Sequence, residues 1–246
     1  MKYMGSKSRL SKELSKIINK IISEEKIENY IEPFVGGANL IEKIECKNKF
    51  GYDINVYLID MFNALKKGYN PPKMISKEEY MEIKNNKDKF PRELVSIAGF
   101  CASYNAKWFG GYAGEVNTKV GKVRNYYDES VRNLLKQMEL IKDVEFISCD
   151  YREIKIENKT LIYCDPPYKG TTEYNISKGF DHDLFWDWVR EQSEQNIVIV
   201  SEYNAPDDFK CIYEKALKTT MDNKSSKKDT EKLFVIKGSV ILGVDE

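Results

Sequence analysis

The first quarter of the chain alternates between helical and extended hydrophobic spacing. Apolar residues recur every three or four positions over residues 9–22, which predicts an amphipathic helix. Two short apolar runs, NYIEPF (29–34) and KFGYDI (49–54), predict strands. A helix is expected after each, the first to about Glu45 and the second over residues 55–68. Because strands and helices alternate, the pattern predicts a parallel sheet.

This alternation stops at YNPPK (69–73) and returns near residue 143. Residues 74–143 carry helical spacing and a loop rich in glycine and aromatic residues, but no convincing strand. Beyond them the pattern predicts a helix at 181–194 and strands at VEFISC (144–149), TLIYCD (160–165) and NIVIVS (196–201). We therefore predict a mostly helical insert, residues 66–142, in a sheet domain formed by residues 1–65 and 143–246.

The last part of the chain predicts an antiparallel edge to the sheet. KLFVIK (232–237) and VILGV (240–244) are strand-like runs joined by a link too short for a crossover helix. The pattern assigns no element to CIYEKALK (211–218). The predicted fold class is α/β, with a doubly wound, Rossmann-like sheet and an antiparallel C-terminal edge.

The composition is that of an ordinary globular domain, and it argues against a membrane span, a disulfide framework and a metal site. The 246 residues, 41% hydrophobic and 32% charged, contain no run of about eighteen apolar residues and no apolar leader, which predicts a cytoplasmic protein. The five cysteines form no CxxC pair, so a disulfide framework or cysteine-rich zinc site is not expected. His182 is the single histidine. We expect no bound metal, and chemistry performed by carboxylates, aromatics, backbone groups or a bound cofactor.

The formal net charge of zero conceals an uneven distribution. Basic residues concentrate in segments 1–20, 117–136 and 215–232, whereas acidic residues concentrate in 181–214. Such a layout is compatible with a polyanionic partner. Charge alone favours the simpler interpretation, that these segments are solvated surfaces.

The motif EPFVGGANL (32–40) places two glycines where a strand end turns toward a helix. Such a turn lets a ligand approach the backbone near unpaired N–H groups. Asp53 follows at the end of the next strand, where a carboxylate can accept both hydroxyls of a ribose. Together these features indicate a nucleoside cofactor. A tight turn with a capping acid is the alternative, since the full GxGxxG fingerprint is absent.

The motif DPPY, Asp165 to Tyr168, follows directly on the apolar strand TLIYC. A pair of prolines cannot continue a central strand, so the chain must turn out at the edge where open α/β sheets bind ligands. The turn would present a carboxylate, a proline carbonyl and an aromatic face. Two oxygens can accept hydrogen bonds from an exocyclic amine, and the ring can stack on a planar base. A stiff proline turn without function would not explain the flanking acid and aromatic.

Four sequence blocks together resemble the Dam-like, D12-class N6-adenine DNA methyltransferases. They are YMGSK (3–7), EPFVGGANL (32–40), GYDIN (51–55) and YCDPPY (163–168), with weaker support from CDY (149–151) and the segment 227–234. The resemblance covers nearly the whole chain. It implies a methyltransferase sheet that binds S-adenosylmethionine and acts on double-stranded DNA.

The resemblance also implies roles for individual residues. For the cofactor it implies Tyr3 and Lys7 in the N-terminal block, Glu32, Phe34, Gly36 and Gly37 in the turn that holds the methionine part, Asp53 at the ribose, Asp150 and Tyr151 beside the adenine, and Asp165. For the target adenine it implies Asp165, Pro166, Pro167 and Tyr168 as catalytic residues. One departure lies at Ala38, where the family often has glycine.

The loop CASYNAKWFGG (101–111) is similar to the recognition loop of the family. Members that read GATC have an arginine at the position of Ser103, and serine cannot hold guanine O6 and N7 bidentately. A recognition site other than GATC is therefore expected. The candidate DNA-binding residues are Ser103, Tyr104, Asn105, Lys107, Trp108, Lys119, Lys122 and Arg124 in the insert, and Lys224, Lys227 and Lys228 near the end of the chain. A loop packed on its own aromatics, and solvated lysines, are the alternatives.

The resemblance implies transfer of a methyl group to N6 of an adenine flipped out of the duplex. C5-cytosine methylation is excluded because the chain has no Pro-Cys dipeptide, and Cys164 is expected to be buried in its strand. Phe180, Trp186 and Trp188 are expected in the core, and His182 at a helix start. Two other functions remain open: a methyltransferase of this fold that acts on RNA or protein, and a cofactor- and DNA-binding module without catalysis. A cognate restriction nuclease is a further partner that the family resemblance allows.

Overall fold

The structure, a computed structural model, describes residues 1–3, 5–117, 121–168, 179–216 and 230–239. The helices are α1 (Ser11–Glu25), α2 (Val56–Lys66), α3 (Lys77–Asn85), α4 (Arg92–Cys101), α5 (Tyr126–Leu140) and α6 (His182–Gln192). The strands are β1 (Asn29–Glu32), β2 (Asn48–Asp53), β3 (Glu115–Asn117), β4 (Val123–Asn125), β5 (Val144–Ser148), β6 (Thr160–Cys164), β7 (Ile197–Glu202), β8 (Phe209–Ala216) and β9 (Thr230–Ile236). In this described part of the chain no helix is both long and apolar enough to cross a bilayer.

Seven strands form one twisted sheet in the order β5-β2-β1-β6-β7-β9-β8. The first five are parallel, whereas β9 runs antiparallel to both β7 and β8. The predicted doubly wound α/β sheet with an antiparallel edge is thus confirmed. The strands of that edge differ from the prediction, because β9 pairs with β8, a segment for which the pattern predicted nothing. The predicted strand VILGV lies outside the described residues.

The chain leaves the glycine-containing turn in a short 3₁₀ turn, Ile41–Lys43, and not in the predicted helix to about Glu45. Asn19 of α1 explains the difference. Its side-chain nitrogen donates to the Lys43 carbonyl at 3.0 Å, and its oxygen accepts the Glu45 N–H at 3.0 Å. These two bonds satisfy backbone groups that a longer helix would have paired within itself.

The insert contains α3, α4 and α5, as its helical spacing predicts, but also a short antiparallel pair that the pattern did not predict. Strands β3 and β4 pair Val116 with Arg124. The residues of β3 and the first two of β4 are exposed, so no alternation of buried and polar positions marks them.

Two hydrophobic clusters cover the two faces of the sheet. One contains α1, α2 and residues of the insert helices, among them Val95, Phe100 and Leu134. The other contains α6 with Phe185, Trp186 and Trp188, which confirms the expected core positions of both tryptophans. Because the insert helices and the sheet share the first cluster, the insert is part of the main core on that face of the sheet.

Candidate active site

Four adjacent parallel strands each end at an acidic residue. Glu32 and Asp53 are the last residues of β1 and β2, Asp165 follows β6 directly, and Asp150 comes two residues after β5. Since these strands are neighbours in the order β5-β2-β1-β6, the four acids line one edge of the sheet. The spacing in the sequence predicts this edge, and the strand order brings its residues together.

The turn after β1 is tied to the end of β2 by Asp53. One carboxylate oxygen accepts the Gly36 N–H at 3.0 Å, and the other accepts the Asn55 N–H at 2.9 Å. Gly36 has a φ of +47°, a conformation that favours glycine. A Cβ on Gly37 would lie 2.6 Å from Cβ of Tyr3, so glycine is required there by the N-terminal segment. Tyr3 therefore lies against the turn.

Gln137, which the sequence pattern did not single out, supports the part of the turn that follows Gly36. Ala38 adopts a φ of +54° and is fully buried. Gln137 of α5 donates its side-chain N–H groups to the carbonyls of Gly37 at 2.9 Å and Ala38 at 3.1 Å. Helix α5 thereby holds the turn at the point where the family often has glycine.

A cluster of aromatic side chains lies beside Asp150, next to Tyr151. Phe34 packs against Tyr151 at 5.4 Å and Phe180 at 5.9 Å between ring centroids. Asp150 caps the short turn Tyr151–Glu153 and forms a bidentate ion pair with Arg152, at 2.8 and 2.7 Å. Arg152, which sequence reasoning did not identify, lowers the pKa of the Asp150 carboxyl.

The DPPY segment is held by residues from both ends of the chain. Lys7 places its ammonium 3.1 Å from an Asp165 oxygen and 3.1 Å from Glu231, and it also hydrogen-bonds the Tyr168 hydroxyl. That hydroxyl lies 2.7 Å from Glu231 and 2.8 Å from Ser201. Sequence reasoning missed Glu231 and Ser201 as site residues. The segment EKLF, an acid at the start of an apolar run, was the only signal for Glu231.

Burial shifts the pKa values of three acids at this edge. Desolvation raises the pKa of Glu32 to about 8, although the Tyr30 hydroxyl donates to it at 2.8 Å. Desolvation likewise raises the pKa of Asp53 to about 6, against the two backbone N–H groups. The pKa of Asp165 rises to about 6 because burial and the nearby Glu231 outweigh Lys7.

The chemistry of these groups fits S-adenosylmethionine. The cofactor carries a sulfonium and an ammonium, and partly desolvated carboxyl groups gain most from a cationic neighbour. Glu32, Asp53 and Asp165 share the edge with a single lysine, Lys7, within the described residues. Oxygens of Asp53 retain lone pairs for ribose hydroxyls after accepting one backbone N–H each.

Among the candidate DNA-binding residues of the recognition loop, some side chains pack within the protein and others are exposed. Ser103 is buried and lies 2.9 Å from the Tyr80 hydroxyl. Trp108 packs on Phe100 at 4.7 Å and directly covers Gly99, where a Cβ would lie 2.3 Å from its ring. By contrast the loop exposes Tyr104, Asn105 and Lys107.

The hairpin of the insert adds exposed cationic groups. Lys122 and Arg124 are exposed, and Arg124 forms an ion pair with Glu129 at 2.8 Å. The guanidinium of Arg124 also lies 4.6 Å from the ring centroid of Tyr126. The predicted DNA contacts Lys119, Lys224, Lys227 and Lys228 lie outside the described residues.

Similar folds occur among solved methyltransferase structures. A putative class I S-adenosylmethionine-dependent methyltransferase from Listeria monocytogenes matches with a TM-score of 0.43 and 10% identity, over 99% of this chain and 63% of that one. The rRNA methyltransferase AviRa from Streptomyces viridochromogenes matches with a TM-score of 0.41 and 10% identity, over 96% and 86%.

Several curated proteins are similar in sequence. Type II methyltransferase M.FokI of Planomicrobium okeanokoites is 24% identical over 83% of this chain, and M.MjaIII of Methanocaldococcus jannaschii is 26% identical over 69%. The DNA adenine methylase of Salmonella typhi is 25% identical over 58% of this chain and 57% of its own length. The chain spans 34% of the length of M.FokI and 68% of M.MjaIII.

The family model for these enzymes matches residues 3–204, which contain the glycine turn, the strand-end acids and the DPPY segment. The chain belongs to the D12 class of N6 adenine-specific DNA methyltransferases.

Proposed function

We propose that the chain transfers a methyl group from S-adenosylmethionine, the methyl donor of its family, to N6 of an adenine flipped out of double-stranded DNA. The observation that carries the proposal is the position of Asp165. Its strand, β6, pairs directly with β1, so the DPPY segment and the glycine turn emerge side by side at one edge of the sheet. An amine held by the first would be next to a donor held by the second.

Asp165 and Pro166 would activate the adenine amine by accepting its two hydrogen bonds. The N6 lone pair is delocalised into the ring, and acceptance at the Asp165 carboxylate and the Pro166 carbonyl favours a tetrahedral nitrogen. This geometry directs the lone pair out of the ring plane. Because the pKa of Asp165 is about 6, its carboxylate is ionised at neutral pH and accepts strongly.

Bound S-adenosylmethionine supplies an electrophilic methyl on its sulfonium. Transfer would form a bond from N6 to the methyl carbon as the carbon–sulfur bond breaks, with the electrons of that bond remaining on sulfur. One proton then leaves N6 to solvent. The protein residues contribute positioning and electrostatic stabilisation, without a covalent enzyme intermediate.

Tyr168 would hold the flipped base. Lys7 hydrogen-bonds the hydroxyl and lies 4.3 Å from the ring centroid, and the Tyr203 ring packs edge-to-face at 4.7 Å, so these two residues fix the ring on which the base would stack. Stacking of this kind contributes about 1–3 kcal/mol per base, which offsets part of the cost of flipping. The hydroxyl contacts of Tyr168 hold the ring in place before the base arrives.

The insert would contact the duplex. Tyr104, Asn105 and Lys107 form an exposed aromatic, amide and cationic group on one loop, and Arg124 lies on the neighbouring hairpin. These residue types contact bases and phosphates in other DNA-binding proteins. The buried Ser103 supports a recognition site other than GATC. Mapping of modified adenines in DNA from cells expressing the chain would identify the site, and methylation of GATC would contradict this part.

Asp165→Ala is the direct test of the catalytic assignment. We expect the substitution to abolish transfer while cofactor binding is largely retained, because the amine loses its acceptor. Labelled S-adenosylmethionine, unmethylated duplex DNA and the purified chain are incubated, and N6-methyladenine is quantified. Asp207→Ala, at an exposed acid, is the matched control.

The same assay separates the other functions. Label in RNA or protein, and none in DNA, would indicate a different substrate for this fold. Cofactor and DNA binding without transfer would indicate a non-catalytic module. Transfer by Asp165→Ala at a rate near that of the wild type would refute the assigned role of Asp165.

A further inference from the structure

The carboxylate of Glu231 lies in the active site although it comes from the far end of the described chain. Strand β9 runs antiparallel to β7, so its first residues lie at the edge where β6 and β7 end. Glu231, the second residue of β9, is 2% exposed. It accepts hydrogen bonds from the hydroxyls of Tyr168, at 2.7 Å, and Ser201. These two hydrogen bonds tie the carboxylate to the DPPY segment and to the end of β7.

Lys7 is shared between two carboxylates. Its ammonium lies 3.1 Å from Asp165 and 3.1 Å from Glu231. If Lys7 paired with Asp165 alone, an adenine amine could reach Asp165 only by competing with a partly buried ion pair, and the displaced ammonium would be left uncompensated. Glu231 offers that ammonium a second partner at equal distance.

We propose that Glu231 is a positioning residue for methyl transfer: it retains Lys7 when Asp165 accepts the target amine, and it holds Tyr168 in place for stacking. This inference rests on the proposed function of the DPPY segment. It adds to the site a carboxylate that contacts Lys7, Tyr168 and Ser201. Glu231 acts through Lys7 and Tyr168.

Few other titratable groups lie near Asp165 and Glu231. Glu32 of β1 is the other acid near Asp165. Tyr30 lies beside it, Tyr163 and Cys164 come from β6, and Tyr213 comes from β8. Burial raises the pKa of the three tyrosine hydroxyls and of the Cys164 thiol, so these four groups stay neutral at ordinary pH. In the described part of the chain, the Lys7 ammonium is therefore balanced by Asp165 and Glu231, because burial raises the pKa of Glu32 to about 8 and keeps it mostly protonated at neutral pH.

Removal of the Glu231 charge is expected to lower the pKa of the Asp165 carboxyl. Glu231 repels a negative charge on Asp165 and so raises the pKa of that carboxyl, whereas Lys7 lowers it. Without Glu231, Lys7 pairs with Asp165 alone and the pKa of Asp165 falls. The acid limb of the rate–pH profile, which reports ionisation of Asp165, then moves to lower pH.

Glu231→Gln tests the inference, because it keeps the shape and removes the charge. Single-turnover transfer from labelled cofactor to duplex DNA is measured from about pH 5 to about pH 9. We expect a rate lower by about 10- to 100-fold near neutral pH, with the dissociation constant of S-adenosylmethionine changed by less than about threefold. We also expect the acid limb at lower pH. Glu214→Gln, at an exposed acid on β8, is the control.

A merely structural role gives different results. It would lower thermal stability and cofactor binding together and leave the acid limb in place, and that outcome would overturn the inference. So would a rate within about twofold of the wild type with an unchanged profile. If wild type itself methylates no adenine, the proposed function fails, not this inference alone.

Glu231→Asp keeps the inference testable if the glutamine variant does not fold. The shorter side chain retains the charge but withdraws it from Lys7 and Tyr168. We expect a reduced rate, with the acid limb between the positions of the wild type and of Glu231→Gln. A rate equal to that of the wild type would show that the position of this carboxylate is unimportant.

Discussion

Three desolvated carboxyl groups determine how the site responds to pH. Glu32, with a pKa of about 8, is mostly protonated at neutral pH, whereas Asp53 and Asp165, at about 6, are mostly ionised. A cationic cofactor favours the ionised form of each. We therefore expect binding of the cofactor at this edge to be coupled to release of protons.

We predict that affinity for S-adenosylmethionine rises as pH increases from about 6 to about 8 and then levels off. The sign follows from the raised pKa values: groups protonated in the free protein must lose protons before they can pair with a cation. Isothermal titration calorimetry at several pH values, in buffers of different ionisation enthalpy, measures both affinity and proton release. Affinity that is flat over this range would contradict the coupling.

Glu32→Gln supplies the residue-level control for this prediction. The variant should lose the upper part of the rise, near pH 8, since glutamine does not titrate and can still accept from Tyr30. Glu28→Gln, at an exposed acid near the start of β1, should keep the wild-type profile. An upper rise that persists in Glu32→Gln would assign it to another group.

At the scale of elements, helix α5 connects the insert to the glycine turn that follows β1. Gln137 is 4% exposed, and its two hydrogen bonds satisfy buried carbonyls of Gly37 and Ala38. The helical spacing of apolar residues over 131–141 does not indicate that a polar side chain of this helix is buried against the turn. The contact lets the position of α5 affect the turn directly.

Gln137→Ala should therefore weaken cofactor binding and destabilise the fold. Leaving the two carbonyls unpaired costs about 1–3 kcal/mol. Chemical denaturation measures the loss, and a titration with S-adenosylmethionine measures affinity. The control is Lys136→Ala, at an exposed neighbour on α5. Unchanged affinity in a Gln137→Ala protein of reduced stability would separate the turn from cofactor binding.

Much of the fold and of the site edge is predictable because local spacing determines it. Glu32, Asp53 and Asp165 each end an apolar run, and parallel strands bring their ends to one edge. The position of Glu231 is different, because it depends on β9 entering the sheet between β7 and β8. Hydrophobic spacing reports which face a residue occupies, not which strand will be its neighbour. The exposed pair β3 and β4 was missed for a related reason, since it has no buried face.

At the scale of the whole molecule, the shared hydrophobic cluster joins insert and sheet. We predict a single cooperative unfolding transition, because α4 and α5 have no core apart from the cluster they share with α1 and α2. Trp108 reports on the insert, and Trp186 and Trp188 on the opposite face of the sheet.

Fluorescence of Trp108→Phe, and of a Trp186→Phe/Trp188→Phe double variant, follows the two regions separately. Each substitution keeps an aromatic ring in its cluster. Midpoints in urea that agree with each other and with circular dichroism are expected. Separate midpoints for the insert and the opposite face would show independent folding units.

The order of strands at the antiparallel edge also bears on the synthesis of the protein. Strand β9 is the last described strand, yet it lies inside the sheet and carries the acid that faces Lys7 from the other end of the chain. A nascent chain on the ribosome lacks this strand until translation has passed it, and β8 has no neighbour until then. We therefore expect the contacts of Glu231 with Lys7 and Tyr168 to form only after β9 has been synthesised and has entered the sheet.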